Sequence, residues 1–539
     1  MACVVGGLPL NRRAFLGAMG GFAGASALAR CSRPPSSTDS GLSSASGRPW
    51  GEVPAGAAGA LLPDARRPSA LVEVFLFGGL SPWETFYVVP EFGKPQGDGP
   101  WAGRQWWTYQ DDLALGVPAV AGACGLGDRP MLQPYGVDTA GVTVNLGPFV
   151  YPLRDRPDLL ARMRVWVMRH DISEHTGGVP LAMTGHRRGS PRMAGFGTHF
   201  ERYYRDRAPE ARSAPHAYCI FHRWPSLLPN SEVATATGLH RASVRPMAVR
   251  LGPQADVFDQ RIRREAVAGY ATDHDALVRH YAQQFRAQVG PAKRVPAIED
   301  FSFARTGIEN YEALASILTR DVLTSEKVDA CDQLLGVQPD DTGTSLRLAT
   351  HLVTMEREAA RYVQIVEGGL YPDVTGSGYD THFDHVRKTG ANTIHCLRHL
   401  VSLINEPGER DPRKLDLDKH MVLLNTEFGR TPGPQLFDPD VNFGKLYEIP
   451  GRDHWPYGYV IVGFGGPVDT ERAKIVGAID GEGYASSYAS PTEHRCATLL
   501  AMGIWPFAPE SFAIGDIPGA GSELDAAMML REKIFGYRG

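Results

Sequence analysis

From Ala70 to Phe77 the chain reads Ala-Leu-Val-Glu-Val-Phe-Leu-Phe, a short apolar run that stops at Gly78-Gly79. Such a run closed by glycines predicts a buried strand feeding a loop. Residues Arg156 to Met163 have helical spacing, and Val165-Trp166-Val167-Met168 predicts a second strand. The loop Arg169 to Thr176 then enters a short helix ending near Gly185. Apolar residues three and four apart predict long helices over Tyr311 to Leu335 and Ser345 to Gly368, and others over Asp273 to Val289, Thr381 to Ile404 and Glu493 to Met502. Met421 to Thr426 and Tyr459 to Gly463 predict further strands. Strands alternating with helices imply an α/β fold with a mostly parallel sheet. No internal repeat is visible.

A single domain is expected over residues 71–539, with Gly/Pro/Trp-rich and Arg/Pro-rich insertions near 95–134 and 186–296. Residues 30–70 are rich in Ser, Gly, Pro and Ala, lack apolar periodicity, and predict a disordered tether. Hydrophobic residues make up 43% of the chain, enough to close a large core, and a net charge of −5 excludes the basic face that nucleic acid requires. Within residues 1–29, Asn11-Arg12-Arg13-Ala14-Phe15-Leu16-Gly17 resembles a twin-arginine export motif. The weakly apolar run Ala14 to Ala29 is too short and glycine-rich for a membrane span, and Ala27-Leu28-Ala29 offers cleavage after Ala29. This predicts an exported protein, periplasmic or extracellular, with no transmembrane segment beyond the signal. A lipid anchor at Cys31 is the lesser alternative, because Arg30 fits that signal poorly. The glycines between Gly17 and Gly24 follow no strand and do not form a dinucleotide loop. Cys124, Cys219, Cys331, Cys396 and Cys496 are far apart without a CxxC pair, so no thiolate zinc site or disulfide framework is indicated. One bridge formed after export stays open, with its partners unassigned.

Four loops carry the candidate chemistry. Asp380 and His382 lie in Gly378-Tyr379-Asp380-Thr381-His382, with His385 one turn on. Alone, they would read as a helix cap with a surface histidine. Glu427 follows a strand in Thr426-Glu427-Phe428-Gly429-Arg430, where open α/β sheets bind ligands, and Arg430 has the planar fork that holds an anion. Asp453 and His454 stand together in Gly451-Arg452-Asp453-His454-Trp455. His175 and Thr176 open a helix, where unpaired amides favour a phosphate-like group, although Thr176 is also an ordinary cap residue. Ser81 and Glu84 are weaker candidates of the same kind. Acid, imidazole and hydroxyl groups on four presumed strand ends predict one shared site for a divalent metal.

At these motifs, together with Phe77-Gly78-Gly79, the chain resembles the bacterial domain of unknown function 1501 family, whose members are similar to the alkaline phosphatase and sulfatase superfamily. The resemblance implies an alkaline-phosphatase-like three-layer sandwich and a two-metal site, usually zinc, that attacks phosphate or sulfate esters in line. It implies that Asp380, His382 and His454 hold one metal, with Asp453 beside them, and that Glu427 serves a second. It places Thr176 at the nucleophile position with His175 next to it, and the planar fork of Arg430 is expected to hold a non-bridging oxygen. Phe428 stands where the superfamily has a histidine, and Phe77 where it has an aspartate unless Glu84 substitutes for it, so the resemblance leaves the second of the one or two ions open. The expected function is an exported hydrolase of small-molecule or polymeric phosphate or sulfate esters. The alternative is a non-catalytic binding or assembly protein of the cell envelope on a degenerate form of the fold.

Overall fold

A computed structural model of the chain describes residues 48–93, 120–126 except 121, 132–207, 215–223, 246–252, scattered positions in 276–288, 323–331 except 330, 337–373 except 358 and 371, 376–433, 451–468 and 473–537. The expected export signal, Cys31, the Trp101 to Trp107 stretch and most of the helix expected from Tyr311 lie outside the described residues.

Eight strands form the central sheet: β1 (Ala70–Leu76), β2 (Met163–Met168), β3 (Ala217–Phe221), β4 (Met247–Arg250), β5 (Tyr362–Glu367), β6 (His420–Asn425), β7 (Tyr459–Gly465) and β8 (Ile475–Val476). Their order is β4-β3-β5-β1-β6-β7-β2-β8. Every neighbouring pair is parallel except the two that β7 makes with β6 and β2. β1, β2, β5, β6 and β7 are buried along their whole length, as strands covered on both faces must be.

The two-residue period of each strand divides the core. Val72, Val74, Val165, Val422 and Val460 face one apolar cluster, which takes in α3 (Asp341–Thr354) and α4 (His385–Ser402). Leu71, Trp166, Met421, Leu423 and Ile461 face another, closed by α2 (Phe196–Arg207), α5 (Pro491–Ala501) and α6 (Glu523–Phe535). A further helix, α1 (His175–Thr184), packs Val179, Ala182 and Met183 against Phe75 and Phe77. Helices therefore cover both faces of a mostly parallel sheet, an α/β fold. No helix among the described residues is long and apolar enough to cross a membrane.

Several segments differ from expectation. The helix predicted over Ser345 to Gly368 ends at Thr354, and Tyr362–Glu367 is β5. Part of the helix predicted to Leu335 is extended instead, with Lys327–Asp329 paired to Val337–Pro339. The stretch 186–296, expected as an insertion, supplies α2, β3 and β4. Residues 48–70, read as tether, are packed: Trp50, Leu61 and Leu62 join the cluster around α6 and give that segment apolar anchors. The disulfide whose partners the sequence left open joins Cys124 to Cys331, while Cys219, Cys396 and Cys496 are buried free thiols.

Candidate metal centre

The carboxyl ends of β1, β2, β5 and β6 and the amino end of the reversed β7 share one edge of the sheet, where open α/β folds bind ligands. β2 leads into His175, β6 into Glu427, and β7 follows His454, while Asp380 and His382 lie between β5 and α4. Two glycines let these loops meet. A side chain on Gly78, whose φ is +111°, would place its Cβ 2.1 Å from the Asp380 amide nitrogen. One on Gly451 would come within 1.8 Å of the His382 carbonyl.

Asp380 is the hub. Its Oδ1 lies 3.0 Å from His382 Nε2, 3.1 Å from His454 Nε2 and 2.6 Å from Arg430 Nη2, and its Oδ2 lies 3.3 Å from His175 Nε2. His382 Nε2 and His454 Nε2 are 3.1 Å apart. Behind the rings, His175 Nδ1 meets Glu427 Oε1 at 2.9 Å, and His454 Nδ1 donates to the Ser173 carbonyl at 2.6 Å. Phe428 stacks on His454 at 4.3 Å and tilts against His175 at 5.2 Å. It is an apolar wall that orients both rings.

This arrangement fits a cation. A carbonyl only accepts, so His454 must carry its proton on Nδ1. Burial holds that ring below its usual pKa despite Asp380, so the ring is neutral and its Nε2 is a bare lone pair. That lone pair faces a carboxylate oxygen and a second imidazole nitrogen. His175 Nε2 is buried and close to Asp380 but makes no hydrogen bond. Burial alone would lower the His175 pKa; Asp380 and Glu427 outweigh it and raise it to about 9, so the ring demands either a proton or a metal. Asp380 itself would be raised by burial, yet Arg430 and the three imidazoles hold its carboxyl far below the ordinary range. Histidines whose second nitrogen is tied to a carboxylate or carbonyl are the usual form of metal-ligating imidazole.

Two groups with the spacing of metal ligands share His454: His175 with Asp380 and His454, and His382 with Asp453 and His454, each with ligand atoms within 4.8 Å. His175, expected beside the nucleophile, thus stands among the candidate ligands. Glu427 is fully buried, accepts the Gly78 N–H at 2.8 Å and backs His175. Arg430 is fully buried as well. Its guanidinium donates to the carbonyls of Gly78, Gly79 and Arg452 and to Asp380, so it braces the carboxylate and has no free edge for an anion. Thr176 is half-buried in the first turn of α1, with no hydrogen-bond partner among the described residues. Asp453 is half-exposed, and its Oδ1 lies 3.7 Å from His382 Nδ1.

His385 turns away from the centre. Its Nε2 lies 3.2 Å from Glu84, which also receives Arg452 Nη2 at 2.6 Å. Burial would raise the Glu84 pKa, but Arg452 and His385 bring it down to about 2. Ser81 donates to the same carboxylate, so both weaker candidates belong to a buried ionic brace under the Arg452 loop. The sequence reading gave no role to His170, which donates from Nε2 to the Glu427 carbonyl at 2.6 Å and accepts the Ile172 N–H on Nδ1. A third cluster able to hold a metal is Asp340, the cap of α3, with His395 and His399 on α4. Its signal, two histidines four apart on a predicted helix, was present in the sequence.

No curated protein matches the chain. Residues 249–503, which carry every candidate ligand except His175, match the family model described as "Protein of unknown function (DUF1501)". Over that span, a little under half of the chain, the sequence is similar to the DUF1501 family.

Proposed function

We propose that the protein is an exported, metal-dependent hydrolase of phosphate or sulfate esters on an alkaline-phosphatase-like fold. The observation that carries this reading is the convergence of three imidazole Nε2 atoms on Asp380, two of them buttressed from behind. His175, Asp380, His382 and His454 would hold the ion, zinc by its nitrogen-rich donor set, in one-ion or two-ion form. Such an ion supplies Lewis-acid stabilisation of charge developing on a phosphoryl or sulfuryl oxygen. Thr176, at the amino end of α1, presents a free hydroxyl where helix amides favour an anion. Its Oγ would bond to phosphorus or sulfur as the ester oxygen leaves and takes up the hydroxyl proton, and water would then release the inorganic anion and restore the hydroxyl. Arg430 and Glu427 act as positioning residues, one on Asp380 and one on His175. A mostly parallel sheet with its ligands at the carboxyl edge supports the fold reading, and a buried disulfide supports export.

Protein purified without chelators should contain divalent metal at this centre and turn over at least one member of a panel of phosphate and sulfate esters, and Asp380→Asn should lose the turnover together with the metal held by His175, His382 and His454. Metal-free protein, no turnover and a melting temperature indifferent to chelator would together remove the reading. The engaged Arg430 guanidinium favours a second one, a non-catalytic binding protein of the cell envelope, because it leaves no free arginine edge at Asp380. Capture of an envelope partner unaffected by His454→Ala, with no ester turned over, would establish that alternative.

A further inference from the structure

We propose that Asp340, His395 and His399 form a second divalent-cation site, independent of the centre around Asp380, and that an ion there ties the first turn of α3 to the last turns of α4. His395 and His399 are four residues apart and project from one face of α4. Asp340 precedes α3 and caps it, its Oδ1 accepting the Gly343 N–H at 2.7 Å. The two elements bring the donors together: His395 Nε2 lies 2.9 Å from Asp340 Oδ1 and His399 Nε2 lies 3.3 Å from Asp340 Oδ2. A tetrahedral ion with ligand bonds of about 2.0–2.1 Å sets neighbouring ligand atoms about 3.3 Å apart, so little movement is needed to admit one.

The surroundings suit a metal with one position left open. The Asp340 side chain is 2% exposed, whereas His395 and His399 are 13% and 25% exposed, which leaves a solvent-facing side for water. Gly343 makes room: a Cβ there would lie 2.3 Å from Asp340 Oδ2 and 2.7 Å from His399 Cε1. Arg347 approaches Asp340 Oδ2 at 3.7 Å, but its side chain is 46% exposed and can turn outward when a divalent charge arrives. Two nitrogens and one carboxylate oxygen select a borderline metal such as zinc over magnesium or calcium. The site shares no ligand with the Asp380 centre, and the ten residues of α4 from His385 to His395 alone span about 15 Å.

The plain competitor is a carboxylate that accepts two imidazole N–H bonds and never sees a metal. Zinc titration of the full chain against a chromophoric chelator separates the two. Asp380→Asn, with its own centre disabled, should retain one tight equivalent, and adding His399→Ala should abolish it. His399→Ala alone should lose one equivalent and keep the rest, and His395→Ala should do the same. Alanine is the strongest helix former and both rings are partly exposed, so neither change threatens α4. Zinc stoichiometry unmoved by either alanine, or an Asp380→Asn chain that takes up none, overturns the proposal. Ester hydrolysis is not a readout here, so failure at this site leaves the hydrolase reading untouched.

Discussion

His175 sits between two carboxylates, with Glu427 on its Nδ1 and Asp380 facing its Nε2, and only the second of these can touch an ion held by the ring. Replacing Glu427 by Gln keeps an acceptor for the Gly78 N–H but removes the charge that makes the imidazole a strong donor. Metal affinity at this centre should fall about 10–100-fold, as for other partners behind a ligating histidine, while Asp380→Ala should abolish binding there. Competition with a chelator checks both, and equal losses in the two variants would make Glu427 a direct ligand. Arg430 is a test of stability instead. Arg430→Met would leave the Gly78, Gly79 and Arg452 carbonyls and a largely buried carboxylate without their donor. A destabilisation of about 3–5 kcal/mol is expected from urea unfolding, the usual result of breaking a buried ion pair. Residue types announced this site in the sequence; roles did not. Whether a glutamate stands beside an ion or behind a histidine depends on where His175 arrives from, and that is set by β2 and α1, some 250 residues earlier in the chain.

α5 shows what a helix needs in order to be legible. Ser490 and Glu493 form a reciprocal cap, Pro491 occupies the first turn, and buried residues follow at helical spacing. β5 was misread for an equally local reason. Tyr-Val-Gln-Ile-Val-Glu follows a true helix, and a six-residue segment with four apolar positions fits a strand or a buried helical turn equally well until its neighbours in the sheet are known. β3 and β4 were hidden in the Arg- and Pro-rich region because each is short, and only pairing with β5 and with each other makes them strands. α5 also carries a pH-sensitive group. His494 is buried edge-on to Trp166 at 4.8 Å, and burial, helped by Arg495, pushes its pKa down to about 3. In the unfolded chain the same ring protonates near pH 6.5. Below that value the unfolded state takes up a proton that the folded state refuses, so stability falls as pH drops from about 6.5 toward 3. The slope for one such ring is about 1.4 kcal/mol per pH unit. His494→Phe should flatten the pH dependence of urea unfolding between pH 6 and 4 by about that slope; a variant whose curve runs parallel to that of the parent chain would show that the ring protonates in place.

Across the fold, the Cys124–Cys331 bridge joins segments 207 residues apart and lies in an apolar cluster with Phe149, Tyr151, Val386 and Ile394, against the buried face of α4. α4 starts just after His382 and carries His395 and His399 near its other end, so the bridge packs on the helix that both histidine clusters depend on. Cys124 and Cys331 are 1% and 6% exposed, so a reductant reaches the bond only when the region opens. Two consequences follow from one cause. Native protein should resist mild reductant, while reduction after unfolding should lower stability by about 2–4 kcal/mol, the usual contribution of a bridge that closes a long loop. The bond also requires an oxidising compartment. Peptide mapping of protein exported through its own N-terminal segment should recover Cys124 and Cys331 in one cross-linked fragment, and protein made in a reducing cytoplasm from residue 30 onward should yield them as thiols. If cytoplasmic material carries the bridge to the same extent, the disulfide says nothing about destination, and the export reading falls back on Arg12-Arg13 and the short apolar run after them.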